Sequence, residues 1–230
     1  MRHRGTAAFT LVELLVVIAI VGAITATLIA GLRSSKGAKL QNAQATLANV
    51  LTSARISALG NGTRVRVLIH ADTRNMTRFR RLVAVQKEVG YMSDQWSEAL
   101  YVVALPEGTI VLPHENRIPS GLYENGSLWM KTYTPSSTSK ALHSSALSGS
   151  EVNAAIGAAE IERWDVVQFT PNDTISFSQG DIVLAAATNR PPSEYTSSQS
   201  PVRAESPELV RGVSISTYGV VALINTRSGF

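Results

Sequence analysis

An α+β fold, one long N-terminal helix followed by an antiparallel β head, is what this sequence of 230 residues predicts. Two observations carry the prediction. A helix-length apolar run passes without a break into a stretch of three-and-four periodicity, and Gly60-Asn61-Gly62 then stops it. From Thr63 onward the signals are short alternating or apolar segments separated by turns. The length allows one domain or two small ones. Hydrophobic residues make up 44%, enough for a packed core, and the 17% of charged residues argues against a disordered chain. The absence of cysteine excludes disulfides, thiolate metal sites and cysteine nucleophiles, and says nothing about compartment. The four histidines (His3, His70, His114, His143) are scattered, which argues against a His-rich site, so no metal and no cofactor is expected.

Charge is unevenly spread. The formal net charge of +4 divides into +1 over residues 1–13, +6 over residues 14–71, where there is no acid, and −3 over residues 72–230. A basic stem on a mildly acidic body suits anionic lipid headgroups better than nucleic acid.

The N-terminal element begins with a short basic stretch, residues 1–8, and then Phe9-Thr10-Leu11-Val12-Glu13-Leu14. Residues 14–32 carry no charge, and nineteen helical residues span roughly 28 Å, close to the ~30 Å hydrocarbon thickness. A membrane-spanning helix is therefore expected over residues 9–32. A secretory signal peptide fits less well, because the apolar stretch exceeds ~7–15 residues and no small-x-small site follows it. Glu13 is costly at the edge of an apolar helix and has no basic partner before Arg33. It either reaches interfacial water or pairs with a group on another chain, such as a neighbouring N-terminal amine.

The stretch Ala8-Phe9-Thr10-Leu11-Val12-Glu13-Leu14-Leu15-Val16-Val17-Ile18-Ala19-Ile20-Val21-Gly22 resembles the N-terminus of type IV prepilins and type II secretion pseudopilins. The resemblance implies cleavage by a prepilin peptidase between Ala8 and Phe9, N-methylation of Phe9, and a role for Glu13, fifth in the mature chain, in neutralising an adjacent subunit's amine. The family usually has Gly before the cut, where Ala8 stands here, and many members carry a helix-bending Pro that this segment lacks. Cutting after Gly5 would start the chain at Thr6 and misplace Glu13. Basic residues flank the span on both sides (Arg2 and Arg4 before it, Arg33, Lys36 and Lys39 after it), so the positive-inside rule is nearly balanced. The resemblance breaks the tie: N-terminus cytoplasmic, head periplasmic, in the cytoplasmic (inner) membrane.

Beyond Lys39, Leu40, Ala43, Leu47, Val50, Leu51, Ala54 and Ala58 form an apolar stripe among Gln41, Asn42, Gln44, Asn49 and Ser53. One helix over residues 10–59, about 75 Å long, is expected. The division is a leader at 1–8, a transmembrane helix at 9–32, an amphipathic stalk at 33–60 and an antiparallel β head at 61–230. A coiled coil would be another use for the stripe, but sustained heptads with paired e and g charges are missing.

In the head, residues 63–70 set Val65, Val67 and Ile69 against Arg64 and Arg66, the pattern of a half-buried strand. Residues 79–88, 99–105, 109–112, 128–133, 165–169, 174–177 and 182–187 follow as strands, with turns at Pro106-Glu107-Gly108 and Pro171-Asn172-Asp173. Residues 210–216 and 220–225 make a terminal hairpin around Tyr218-Gly219. Residues 134–150 hold nine Ser or Thr, and residues 191–207 hold four Pro, five Ser and one Thr; both are expected as mobile surface insertions. The end of the helix (51–62) with Val65-Arg66-Val67, the turn Leu105-Pro106-Glu107-Gly108, and Gly212-Val213-Ser214-Ile215-Ser216-Thr217-Tyr218-Gly219 are similar to segments of H-type minor pseudopilins. The head is longer than is usual for that type, and the chain also resembles the Verru_Chthon cassette pseudopilin-like proteins.

Catalytic signatures are sparse. G-x-S-x-G, H-E-x-x-H and the P-loop are absent. Ser137-Thr138-Ser139-Lys140 matches S-x-x-K inside a Ser/Thr-rich stretch, where such a match is cheap. Glu160, Glu162 and Asp165 read as a solvated acidic face, and no Asp-rich loop of calcium spacing appears. Arg74, Arg78, Arg80 and Arg81 form the one basic cluster of the head, a solubilising loop or a phosphate contact; only Phe79 interleaves as an aromatic.

The reading is a minor pseudopilin or pilin-like filament subunit, not an enzyme. Its expected partners are the prepilin peptidase, other pilin or pseudopilin subunits, the inner-membrane assembly platform and membrane lipid, with nucleic acid outside the expected set. The alternatives are a membrane-tethered binding domain that never polymerises, a minor pilin contacting DNA, and a tethered hydrolase using Ser137 and Lys140.

Overall fold

The computed structural model describes residues 11–230 apart from 125, 133–138, 150, 158–159, 177–178, 195 and 197–198; over 11–17, 19–35, 131–132, 139–140 and 192 it describes the backbone alone. The helix α1 runs Leu11–Asn61, two residues past its expected end. The chain divides within it into two compact units, Met1–Ala38 and Lys39–Phe230. Among the described residues no helix is long and apolar enough to cross a membrane. The span expected over 9–32 lies almost wholly outside that description, on residues 9–10 or on residues given as backbone only.

In the second unit the helix ends at Gly62, whose φ of 62° is the left-handed conformation that glycine adopts freely, and the chain enters β1. Five strands make the first sheet: β1 (Val65–His70), β2 (Leu82–Lys87), β3 (Tyr101–Ala104), and later β7 (Val152–Ala154) and β8 (Glu162–Phe169). Its order is β3-β2-β1-β8-β7, antiparallel throughout. The second sheet is built on β9 (Gly180–Asn189). It pairs antiparallel with β4 (Thr109–Val111), β10 (Val202–Ala204) and β11 (Val210–Ile215), and β11 carries β12 (Val221–Ile224). A small ladder joins β5 (Met130–Thr132) to β6 (Ser139–Ala141).

The helix stripe is the keystone. Leu40, Ala43, Leu47, Val50, Leu51, Ala54 and Ala58 are buried in one cluster with Val65, Val67 and Ile69 of β1, Val83 and Val85 of β2, and Ile182, Leu184, Val213 and Ile215 of β9 and β11. The helix thus packs on inner faces of both sheets, and that burial satisfies the stripe without a coiled-coil partner. Within the apolar face sits Gln44, 2% exposed, whose Nε2 donates to the carbonyls of Gly212 (2.7 Å) and Ile224 (2.8 Å). Those residues form the last register pair of β11 and β12, so Gln44 satisfies carbonyls where the ladder ends.

Gly212 is required by space and not by backbone angle. A Cβ there would lie 2.2 Å from the Ile182 carbonyl oxygen and 2.8 Å from the Phe230 ring. Gly212→Ala is expected to destabilise the head by about 1–3 kcal/mol, since a backbone carbonyl within a ladder has nowhere to retreat. Urea unfolding of the full chain in detergent micelles measures this, and a loss under ~0.5 kcal/mol would contradict it.

Several sequence expectations are corrected. β1 is buried on both faces, not half-buried: Arg66, Leu68 and His70 point away from the helix and are covered as well. Arg66 lies 4.1 Å over the Trp96 ring and donates two hydrogen bonds to Gln86, while Leu68 joins Ala84, Ile156, Trp164 and Val166 in a second apolar layer. β9 is likewise covered on both sides, its outer residues Val183, Ala185 and Ala187 packing with Phe79, Leu122, Trp129 and Leu142. The expected insertions supply part of that cover. Residues 191–207 contain β10, with Val202 and Ala204 buried, and residues 134–150 contain β6 together with buried Leu142, Ala146 and Leu147. Composition flagged them as loops because each strand is only three residues long. The strand expected at 174–177 is reduced to a single bridge, Ile175 to Phe169, with residue 177 outside the described set.

Candidate functional site

Of the processing residues, Ala8 and Phe9 lie outside the described residues, and Glu13 falls in the first turn of α1, where the backbone alone is described. Ser137 is likewise outside, and Lys140 lies in β6 with only its backbone described.

The arginine cluster sits on the connection from β1 to β2; Arg74, Arg78 and Arg80 are spent on carboxylates and Arg81 on backbone carbonyls. Arg74, with a side chain 63% exposed, pairs with Asp72 at 2.6 Å and holds that carboxyl well below its usual range. Arg78 pairs with Glu162 at 2.9 Å. Arg81 donates to the Leu105 carbonyl at 3.2 Å. Arg80 is 2% exposed and donates to Asp165, so it presents no guanidinium to an outside phosphate.

The acidic trio is not a solvated face. Glu162 and Asp165 are buried, at 6% and 0% exposure, and Glu160 alone is open. β8 runs between β1 and β7, and the two carboxylates, three residues apart, lie on its opposite faces: Glu162 on that of Trp164 and Val166, where Arg78 meets it, and Asp165 on that of Val167 and Phe169, where Arg80 and Arg117 meet it. Burial pushes the Glu162 carboxyl up, but hydrogen bonds from Asn75 and Arg78 outweigh it and the net shift is downward. His70, fully buried, stands edge-on to Trp164 with ring centroids 5.0 Å apart, and its Nε2 lies 3.4 Å from Glu162. Burial lowers its pKa, so the imidazole is neutral at pH 7.

Asp165 is the centre of this network. Arg80 donates to its Oδ2 and Arg117 to its Oδ1, and Arg117 also donates to the carbonyls of Leu147 and Gly149. The Arg80 backbone bridges the sheets: its N–H donates to the His70 carbonyl at the end of β1, and its carbonyl accepts from Val111 of β4, both at 2.9 Å. A polar cleft of about 370 Å³ opens beside the network, with Arg80, Arg117 and Arg163 in its wall.

A second constellation is absent from any sequence spacing. His114 and His143 come together with ring centroids 5.6 Å apart and planes at 79°, and Glu115 lies beside them. Two of the four histidines that lie scattered along the sequence thus stand side by side in the fold. The buried Ser144 makes the junction: its N–H donates to the Pro113 carbonyl (3.0 Å), its Oγ to the Leu112 carbonyl (2.5 Å), and it accepts from the Val183 N–H (3.0 Å). Two segments on one strand of the second sheet are thereby locked side by side. His114 caps the short 3-10 turn Glu115–Arg117, accepting a long 3.4 Å hydrogen bond from Asn116 at Nδ1. Its pKa is lowered by burial first, then by His143 and Arg117. The His143 Nδ1 is 2.7 Å from the Ala141 carbonyl, and its Nε2 is 4.0 Å from Glu115 Oε2.

Residues 3–29 match the family model described as the prokaryotic N-terminal methylation motif. Comparison with curated proteins and with solved structures returns no match. The matched segment holds Arg4, Phe9, Glu13 and most of the apolar run. The chain therefore carries an N-terminal methylation motif that indicates a type IV pilin-like or pseudopilin substrate of a prepilin peptidase, and supports the type IV pilin and pseudopilin family.

Proposed function

We propose that this chain is a minor pseudopilin or pilin-like filament subunit of a type II secretion or type IV pilus-like system. The observation that carries the reading is the methylation motif over residues 3–29, set at the head of a helix that continues to Asn61. Cleavage falls between Ala8 and Phe9, because only that cut makes Glu13 the fifth residue. The uncharged run 14–32 crosses the inner membrane once, with the head outside the cytoplasm. On assembly the N-terminal helix packs with those of other subunits, and Glu13 sets register by pairing with a neighbour's amine. The work is mechanical and not catalytic. The finer resemblance to H-type minor pseudopilins rests on the sequence segments alone, 51–62 with Val65-Arg66-Val67, 105–108 and 212–219.

The test is the intact mass and N-terminal sequence of the membrane-extracted protein, with and without a co-expressed prepilin peptidase. The expected product starts at N-methylated Phe9 only when the peptidase is present. An intact Met1 start in the presence of active peptidase would overturn the reading in favour of a tethered domain that does not polymerise.

A further inference from the structure

We propose that His114, Glu115 and His143 form a site for a divalent transition-metal ion of the zinc type, with three protein ligands and one open position. One ligand atom from each residue lies within 4.8 Å of the others. Zinc sits at about 2.0–2.2 Å from imidazole nitrogen and carboxylate oxygen, so ligand atoms in a tetrahedral set stand roughly 3.4 Å apart. Side-chain rotation of about an ångström closes the gap, and the 4.0 Å separation of His143 Nε2 from Glu115 Oε2 is already near it.

Three features make this a prepared site and not a chance meeting. The His143 Nδ1–H donates to the Ala141 carbonyl, which fixes the tautomer and leaves the Nε2 lone pair aimed at the cluster. That is the outer hydrogen bond that metal-ligating histidines commonly make. The backbone beneath both histidines is pinned by the buried Ser144, so the two rings cannot drift apart. Arg117, the cation at the other end of the 3-10 turn, is anchored on Asp165, which it shares with Arg80, and on two carbonyls, so its guanidinium is held on those acceptors and is not free to swing over the cluster.

The donor set selects the ion. Two imidazoles and one carboxylate suit zinc, cobalt or nickel, whereas calcium and magnesium require oxygen ligands. His114 gives up only its long hydrogen bond from Asn116 on binding. All three residues are partly exposed, so water or an outside ligand completes the coordination.

The experiment uses the full-length chain, untagged, in detergent micelles after chelator treatment. Zinc is titrated calorimetrically, and cobalt is added separately to read ligand-field absorption. One equivalent of zinc per chain is expected, with a dissociation constant in the micromolar range or tighter, unaffected by excess calcium. His143→Gln and Glu115→Gln are each expected to weaken binding at least tenfold, while His3→Gln leaves it unchanged. Absence of saturable uptake would overturn the proposal. So would wild-type affinity in both His143→Gln and Glu115→Gln, or loss of uptake in His3→Gln, which would assign the ion to the leader. Circular dichroism checks each variant's fold, and should His143→Gln unfold, the partly exposed Glu115→Gln decides alone.

Discussion

Glu13→Ala is expected to leave the chain in the membrane fraction while its recovery in sheared filaments falls at least tenfold. Under the function proposed above, residues 14–32 drive insertion, and removing a carboxylate from the edge of that run eases transfer. Assembly is different. In a filament core of helices packed away from water, the amine of each mature chain needs an anionic partner, and Glu13 is the only acid in the first 71 residues. Losing one partner of a buried pair strands the other charge, at several kcal/mol. A tenfold loss needs only about 1.4 kcal/mol per subunit. Glu13→Gln should fail with Glu13→Ala, because the neutral amide keeps the shape and not the charge. Wild-type recovery of Glu13→Ala in sheared filaments or in subunit crosslinks would end the filament reading of this residue.

The second large effect lies in the head. Asp165→Ala is expected to destabilise the protein by about 3–5 kcal/mol, the usual result of removing one partner from a buried ion pair. Asp165 is fully buried, and each of its oxygens accepts from a different arginine. Its removal leaves Arg80, 2% exposed, charged and unpaired, in a segment whose backbone ties β1 to β4. Arg80 also holds a φ of 56°, an uncommon conformation for a residue with a side chain, maintained by those same contacts. Asp165→Asn keeps an acceptor and should cost less. For a chain of this size each kcal/mol lowers the melting temperature by roughly 2–4 °C, so Asp165→Ala should melt about 10 °C early. A shift within 2 °C or so of wild type would mean that the network contributes little net stability.

Much of the architecture was legible because it is local. The stripe from Leu40 to Ala58 announced both a helix and the face it buries, since residues three and four apart share a side whatever lies opposite. The glycines at 60 and 62 marked its end within two residues. The central strands were found because Val, Ile and Leu cluster there. Short strands were missed where no apolar run accompanies them: β6, β7 and β10 are three residues each in polar surroundings, whereas the equally short β4 and β5 lie in the apolar stretches 109–112 and 128–133. Their stability comes from the neighbouring strand, not from their own composition.

The sequence by itself determined the N-terminal motif, the apolar run and the amphipathic continuation, because each is a pattern of adjacent residues read in one helix. Tertiary structure alone decided which charges were buried and which side chains met. Arg80 and Asp165 are 85 positions apart, so nothing in the spacing shows that they pair. The same holds for Gln44, which reads as part of a polar face and is buried because β11 and β12 present carbonyls to it. His114 and His143 meet because Ser144 binds the backbone at Leu112 and Pro113. A contact between segments distant along the chain is set by the packing of every element between them, and that sum is not written in any local pattern.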